Sequence, residues 1–426
     1  MNLFVNKPVI SGDTITTSYF FNDTEYSHVF IAPLQLDNTD PIILKLVNWI
    51  TVIHVLYLFS IDYFTKIETN FYLSKSECEF FEKLIFNGMA EFRFENKIPV
   101  QAKTTITSLE EDENINSTPK KIKSLNGRLL LNGGGKDGIV STILLGEADL
   151  DFDFFQVGTS KAQAIVTNYF SKTPLIFRRQ MDERRNNAKF SGHRPTSAAI
   201  ALTAVLSAYI SGKQDVIASN EASSNEANLN IDGIDINHQY SKSFEFEQDL
   251  SKLLKDHEIP IRYFSILRPI HELQIAKILT AHPEYADKFI SCNHGFRKGF
   301  WCMKCSKCAF ITLILNALSP EFASKTLGLN SINTQNLKKH LSSLIDHEVD
   351  KPFECVGTLE ECRISAKLVL QNDKILLDKD LAELFLKHTD NISQSNIDTL
   401  FNSFNQENNI PVPEYADVIN ELKNIS

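Results

Sequence analysis

Two groups of residues in this chain have types and spacings that could do chemistry. The first is Cys292-x9-Cys302-x2-Cys305-x2-Cys308, four thiols within seventeen residues. Two successive Cys-x2-Cys steps and a fourth cysteine suit tetrahedral Zn²⁺, whose structural sites are closed by four sulfur or nitrogen ligands. An iron–sulfur cluster uses the same ligands and is the competing reading. Arg297, Lys298, Lys304 and Lys307 would offset the negative charge of four thiolates, and His294 is a spare ligand. The second group is Asn132-Gly133-Gly134-Gly135-Lys136-Asp137-Gly138, set between the apolar run Leu129–Leu131 and a helical pattern. Glycines let the backbone turn tightly and bring bare N–H groups against a ligand, and the following helix N-terminus favours negative charge. Lys136 adds a point charge, and Asp137 could hold Mg²⁺ against phosphate oxygens. The spacing is neither that of a Walker A loop nor that of the dinucleotide fingerprint. The segment reads as a phosphate cradle, with a plain tight turn as the alternative.

The surrounding pattern says what must position these groups. From residue 126, the short apolar runs Arg128–Leu131, Asp153–Val157, Leu175–Phe177 and Val216–Ala218 alternate with helical patterns near 138–146, 160–170 and 196–210. That alternation implies βαβ units and a mainly parallel sheet with helices on both faces, an α/β fold. Before it, Thr14–Phe21 alternates like a strand, 42–60 and 75–95 read as helices, and Thr104–Pro119 reads as a polar, acidic linker. After residue 319 the chain reads as mostly helical. The expected organisation is an N-terminal α+β domain with its linker over 1–120, an α/β domain over 121–285, and a cysteine-bearing helical region over 286–426.

Composition narrows the class. The 426 residues are 43% hydrophobic and 23% charged, which is ordinary for a folded globular chain and excludes disorder. A net charge of −10 argues against nucleic-acid binding, while leaving room for an anionic small molecule in a locally basic pocket. Residues 42–60 are long enough to span a bilayer, but Lys45, Asn48 and His54 are costly there, so a core helix fits better than a membrane helix. Met1–Pro8 lacks the charged and apolar regions of a secretion signal, so the expected location is cytoplasmic.

The loop resembles the pyrophosphatase loop of N-type ATP pyrophosphatases, usually Ser-Gly-Gly-x-Asp-Ser, with Gly133 and Gly138 at the two serine positions. The cysteine spacing is similar to that of 7-cyano-7-deazaguanine synthase, another member of that superfamily. Further blocks are Arg178-Arg179-Gln180-Met181-Asp182, Gly192-His193-Arg194-Pro195, Ser219-Asn220-Glu221, Asn237-His238-Gln239-Tyr240-Ser241-Lys242-Ser243, Tyr263 to Pro269 and Lys351 to Gly357. Together they resemble the UDP-N-acetylmuramoyl-L-alanyl-L-glutamate epimerase family over about residues 55–365.

The resemblance implies a Rossmann-like parallel sheet of the adenine nucleotide α-hydrolase type. ATP would be held by Gly133, Gly134, Gly135, Lys136 and Asp137, with Val157 and Gly158 nearest the adenosine. The implied reaction is inversion of a glutamyl residue in a nucleotide-sugar peptide through an acyl-adenylate, with ATP, Mg²⁺ and structural Zn²⁺ as cofactors. Lys136 and Asp137 would serve the adenylation chemistry. Cys355, Glu354 and His238 are the proton-transfer candidates, since Thr358-x-x-Glu361 is a capping box that puts Glu354 and Cys355 at a helix start, where a thiol is acidified. The alternatives are a small buried Cys355, a capping Glu354 and a structural His238. Arg178, Arg179, Arg194 and Arg268 are the expected phosphate clamps, with His193, Ser219, Asn220 and Glu221 near the substrate. Cys78 and Cys362 read as core residues. Two other functions stay open: a 7-cyano-7-deazaguanine-synthase-like enzyme adenylating a base or a protein, and an ATP-binding regulatory module that has lost turnover.

Overall fold

The computed structural model describes residues 1–109, 124–186, 188–349 and 351–425. Its strands are β1 (Asn2–Val5), β2 (Val9–Ser11), β3 (Thr14–Phe21), β4 (Thr24–Ile31), β5 (Lys66–Thr69), β6 (Thr105–Ser108), β7 (Arg128–Leu131), β8 (Asp153–Val157), β9 (Leu175–Gln180), β10 (Asp215–Ala218), β11 (Leu229–Ile231), β12 (Ile234–Ile236) and β13 (Arg262–Ser265). All but the β11–β12 hairpin belong to one sheet, ordered β13-β10-β7-β8-β9-β4-β3-β1-β5-β6 with β2 beside β3. The five strands from β13 to β9 are parallel, as expected. Counted along the α/β half, their order is 3-2-1-4-5, the doubly wound order whose direction reverses between β7 and β10.

These strands are short and apolar because both of their faces are buried. Successive residues go to opposite sides. Leu129, Phe155, Val216 and Tyr263 join one core, and Leu130, Phe154, Ile217 and Phe264 join the other. The first core also takes the helices Pro41–Ile53, Thr196–Ile210 and Phe244–Asp256. The second takes Lys136–Glu147, Lys161–Tyr169, Glu272–Thr280, Ser306–Leu318 and the C-terminal helices. The apolar stretch at 42–60 is a core element, with 72% of its span buried. Asp40 caps it by accepting from the Ile42 and Ile43 amides, with Pro41 in the first turn. It ends in a 3₁₀ segment, His54–Ser60.

Two expectations change. Leu175–Phe177 continues to Gln180 because Arg178 to Gln180 pair antiparallel with Val29 to Ile31 of β4. This pairing joins the N-terminal strands and the parallel strands in one sheet. Thr105–Ser108, expected within a linker, is an edge strand parallel to β5, with its polar side chains tolerated at the exposed edge. The rest of that stretch, 110–119, lies outside the described residues, as does the expected boundary at 120.

Candidate active site

Ligands of open α/β sheets sit beyond the carboxyl ends of the strands at the point where strand order reverses. A cavity of about 1000 Å³ lies there. It is lined by the loop after β7 (Asn132, Gly133, Gly135, Asp137, Gly138), by Val157 and Gly158 after β8, and by Ser219 and Asn220 after β10. Arg179, His193, Lys242, Arg297, Lys307 and Cys355 complete its charged and reactive wall.

The glycine loop is built by close packing. Gly134 has φ +78°, and a Cβ there would lie 2.5 Å from the Ala162 carbonyl carbon, so only glycine fits. Asn132 Oδ1 accepts from the Gly134 amide, and the Ile290 amide donates to the Gly134 carbonyl at 2.9 Å. Ser291 Oγ accepts from the Lys136 amide at 3.0 Å. Gly133 faces open space, and a Cβ at Gly138 would meet nothing closer than the Leu131 carbonyl at 4.0 Å. The following helix starts at Lys136 with Gly135 as its N-cap, so the cap residue has no side chain to bond the first turn and Ser291 serves the Lys136 amide instead.

Lys136 is not where a phosphate ligand would meet it. Its side chain is 0% exposed and its ammonium is bonded to Asp137 Oδ1 and Glu272 Oε2. Burial works against that charge, but Asp137 and Glu272 outweigh it and hold the lysine firmly protonated. Burial pushes the Glu272 carboxyl up against the pull of Lys136. The Glu272 amide donates to Glu361 Oε1 at 2.7 Å. Glu361 Oε2 in turn closes the Thr358 capping box expected from the sequence. The positive charge of the cavity comes instead from Arg179, Lys242, Arg297 and Lys307, against Asp137 as the one carboxylate among the lining residues.

The four cysteine sulfurs converge, all within 4.8 Å of one another. Cys302 Sγ and Cys308 Sγ are 3.8 Å apart, which is the edge of a tetrahedron with ligands at about 2.3 Å. The amides of Gly295 and Cys302 donate to Cys292 Sγ, and that of Cys308 to Cys305 Sγ, as thiolates require. The cluster could hold one metal ion and is compatible with structural zinc. His294 stays exposed. Lys307 does not serve the thiolates. Its ammonium is bonded to the Cys355 carbonyl and lies 3.9 Å from Glu272. The cluster thus anchors Ile290 and Ser291 under the glycine loop and holds Lys307 at the cavity wall.

The remaining predicted residues divide. Cys355 lines the cavity, and Lys242 Nζ is 3.1 Å from its Sγ. Burial would raise this thiol, but Lys242 and then His238 outweigh it and bring it down to about 6. His238 stands behind Cys355. Burial opposes its charge, yet contacts with Cys355 and Glu91 hold it up at about 9. His193, whose ring is 4.0 Å from that of His238, is pushed down to about 3 by burial, then by His238 and Lys242.

Glu354 accepts from the Lys307 amide at 2.8 Å, so it caps the helix Ser306–Leu318 and does not line the cavity. Arg178 and Arg179 are neighbours on a strand, so they point to opposite faces. Arg178 is exposed, while Arg179 lines the cavity and donates to Tyr57 Oη at 2.7 Å. Arg194 lies over the Phe92 ring. Arg268 is 0% exposed and ion-paired with Glu247, with further bonds to the carbonyls of Glu221 and Lys242. It fixes the backbone of those residues and cannot clamp a phosphate. Glu221 is buried behind Ser219 and Asn220.

Glu91, Lys242, Glu272 and the inward turn of Lys307 were not singled out from the sequence. Lys242 follows His238 within one polar block, and Lys307 sits between two cysteines, so each had a local signal. Glu91 and Glu272 had none, being ordinary helix residues whose partners lie far away in sequence.

The fold and cavity define the class: an α/β protein with a locally cationic ligand chamber at its topological switch point, braced by a four-cysteine cluster. Within that class the chain belongs to the MurL family, matching the MurL N-terminal domain over residues 11–266 and the MurL C-terminal domain over residues 288–399. Two similar curated proteins are both named UDP-N-acetyl-alpha-D-muramoyl-L-alanyl-L-glutamate epimerase. That of a Micromonospora species is 31% identical over 67% of this chain and 66% of its own length. That of Salinispora tropica is 32% identical over 66% of this chain and 64% of its own. A protein of the same name from Xanthomonas oryzae is 30% identical over 55% of each chain. The aligned region therefore spans slightly under two thirds of the first two relatives and little over half of the third. No solved structure gives a significant match.

Two measurements test this construction. Lys136→Met strands the buried Glu272 carboxylate and unpairs the half-buried Asp137, and is expected to cost about 3–5 kcal/mol, read by denaturant unfolding. Cys305→Ser, or treatment with a strong chelator, is expected to release one metal ion per chain and lower the melting temperature, followed by elemental analysis and calorimetry.

Proposed function

We propose that this protein is an ATP-dependent epimerase of the N-type ATP pyrophosphatase superfamily. It inverts the terminal L-glutamate of a UDP-N-acetylmuramoyl-L-alanyl-L-glutamate-like precursor through an acyl-adenylate. The observation that carries this is one chamber holding an open glycine cradle on one wall and an acidified thiol on another, with four cations in an acidic chain. Two polyanionic ligands, a nucleoside triphosphate and a nucleotide-sugar peptide, need that charge. The relatives' printed names supply the substrate.

The chemistry follows from the acidity of the glutamyl Cα–H. Beside an ionised carboxylate this proton is held tightly, because a carbanion would place charge next to charge. Attack of the carboxylate oxygen on the α-phosphorus of ATP forms the mixed anhydride and releases pyrophosphate, which cancels that charge. Gly133, Gly135 and Gly138 leave backbone room for the phosphates, and Asp137 would hold Mg²⁺, which neutralises phosphate charge when bound. Val157 and Gly158 flank the nucleoside. The Cys355 thiolate takes the Cα proton and becomes a thiol, while the electron pair moves onto the acyl oxygen as an enolate. Lys242 and Lys307 lie beside Cys355 and would stabilise that anion. Cys355 serves one face of Cα, a water molecule in the open chamber gives a proton to the other face, and the Cys355 thiol returns its proton to the resulting hydroxide. Water then cleaves the anhydride to the D-glutamyl peptide and AMP.

The test uses the protein with MgATP and the L-alanyl-L-glutamate precursor in D₂O. Pyrophosphate release with deuterium at the glutamyl Cα is expected. Pyrophosphate without deuterium would sink the epimerase reading in favour of an adenylating enzyme that resembles 7-cyano-7-deazaguanine synthase. ATP binding with neither product would mark a regulatory module. Gly138→Ser fits sterically and is expected to leave turnover within a few-fold, whereas a large gain would mean that the natural loop is impaired. The pH profile of kcat/KM is expected to rise with pH through about 6 as the Cys355 thiolate forms and to stay level above it, the value belonging to the coupled Cys355–His238 pair.

A further inference from the structure

Against His238 lies a buried carboxylate that neither the sequence motifs nor the proposed mechanism assigns. Glu91 sits on the short helix Ala90–Glu95 and is 3% exposed. Its Oε2 is 2.7 Å from His238 Nδ1. His238 is also close enough to Cys355 to favour its thiolate, beside the Lys242 ammonium 3.1 Å from Sγ. The backbone amide of His238 donates to Asn228 Oδ1 at 3.0 Å, which holds the loop that carries it. Residues from three distant parts of the chain therefore meet beside the cavity, which Cys355 lines.

We propose that Glu91 is the positioning residue of the proton-transfer unit: it orients His238 and keeps it cationic, so that Cys355 faces the substrate as a thiolate. A carboxylate on one imidazole nitrogen sets the ring's orientation and favours its protonated form, as in other nucleophile–histidine–carboxylate arrangements. The proposal rests on the reading of Cys355 as the base. It also gives the N-terminal part of the chain a role in the site, because Glu91 precedes the α/β strands altogether. Other groups bear on the pair. Lys242 and Lys307 act on Cys355, and Glu95 and His193 flank the Glu91–His238 contact. The hydrogen bond at His238 Nδ1 is to Glu91, so the orienting bond belongs to Glu91.

The test is the pH dependence of Cys355 alkylation by iodoacetamide, read by peptide mass on the substrate-free protein. The wild type is expected to show a midpoint near 6, and Glu91→Gln to raise it by at least about one pH unit, with kcat falling more than KM. An unchanged midpoint in a folded Glu91→Gln would overturn the proposal, as would an ordinary thiol midpoint in the wild type. Should Glu91→Gln fail to fold, Glu91→Asp keeps the charge but withdraws it from the ring, and an intermediate midpoint is expected; a wild-type midpoint there would count against the idea. Glu91, His193 and His238 also converge closely enough to hold a cation. A second divalent ion per chain by elemental analysis, lost in Glu91→Gln, would replace the relay with a metal centre. Because alkylation needs no substrate, failure of epimerisation would remove the reading above without altering this result.

Discussion

The buried ammonium of Lys136 is the constraint on which the site depends. A charge with no access to water is tolerable only beside opposite charge, and Asp137 and Glu272 provide it. Asp137 belongs to the loop and Glu272 begins a separate helix, so the ion pair ties the glycine cradle to the second core. The tie continues from the Glu272 amide to Glu361, and so to the helix that follows Cys355. Loop and thiol are therefore held at a set distance by a chain of charge-assisted bonds, stronger than neutral ones.

The cysteine cluster acts on the same assembly from the other side. Cys292 follows directly on Ile290 and Ser291, whose amide and hydroxyl brace the loop. Lys307, between Cys305 and Cys308, reaches the Cys355 carbonyl. A closed four-sulfur site would make this corner rigid without further hydrophobic core. The cavity is locally rich in cations on an acidic chain: Lys242 and Lys307 are held by tertiary bonds, and Arg179 is held by Tyr57.

Much of this was legible from local sequence. Arg128–Leu131 and Val216–Ala218 read as strands because chains buried on both faces are continuously apolar. The turn at Gly133–Gly135 was readable because strand, glycines and helix follow one another directly. Arg178 and Arg179 were placed together because side by side in sequence they look alike, yet strand alternation separates them. Arg268 looked like a clamp, and only the buried Glu247 behind it shows that its charge is already engaged. Thr105–Ser108 looked like linker because an edge strand need not be apolar, and its pairing with β5 depends on a partner nearly forty residues earlier.

By itself the sequence determined what depends on neighbours along the chain: the α/β alternation, the glycine turn, the thiol spacing and the capping box at Thr358. Tertiary structure alone decided which charges are free and which are neutralised. Lys136 became internal, Lys307 turned from the cysteines to the cavity, and Glu91 met His238 across 147 residues. The physical reason is that hydrogen-bonding and turn preferences act over a few residues. The cost of burying a charge is instead set by whatever the fold brings within a few ångströms of it.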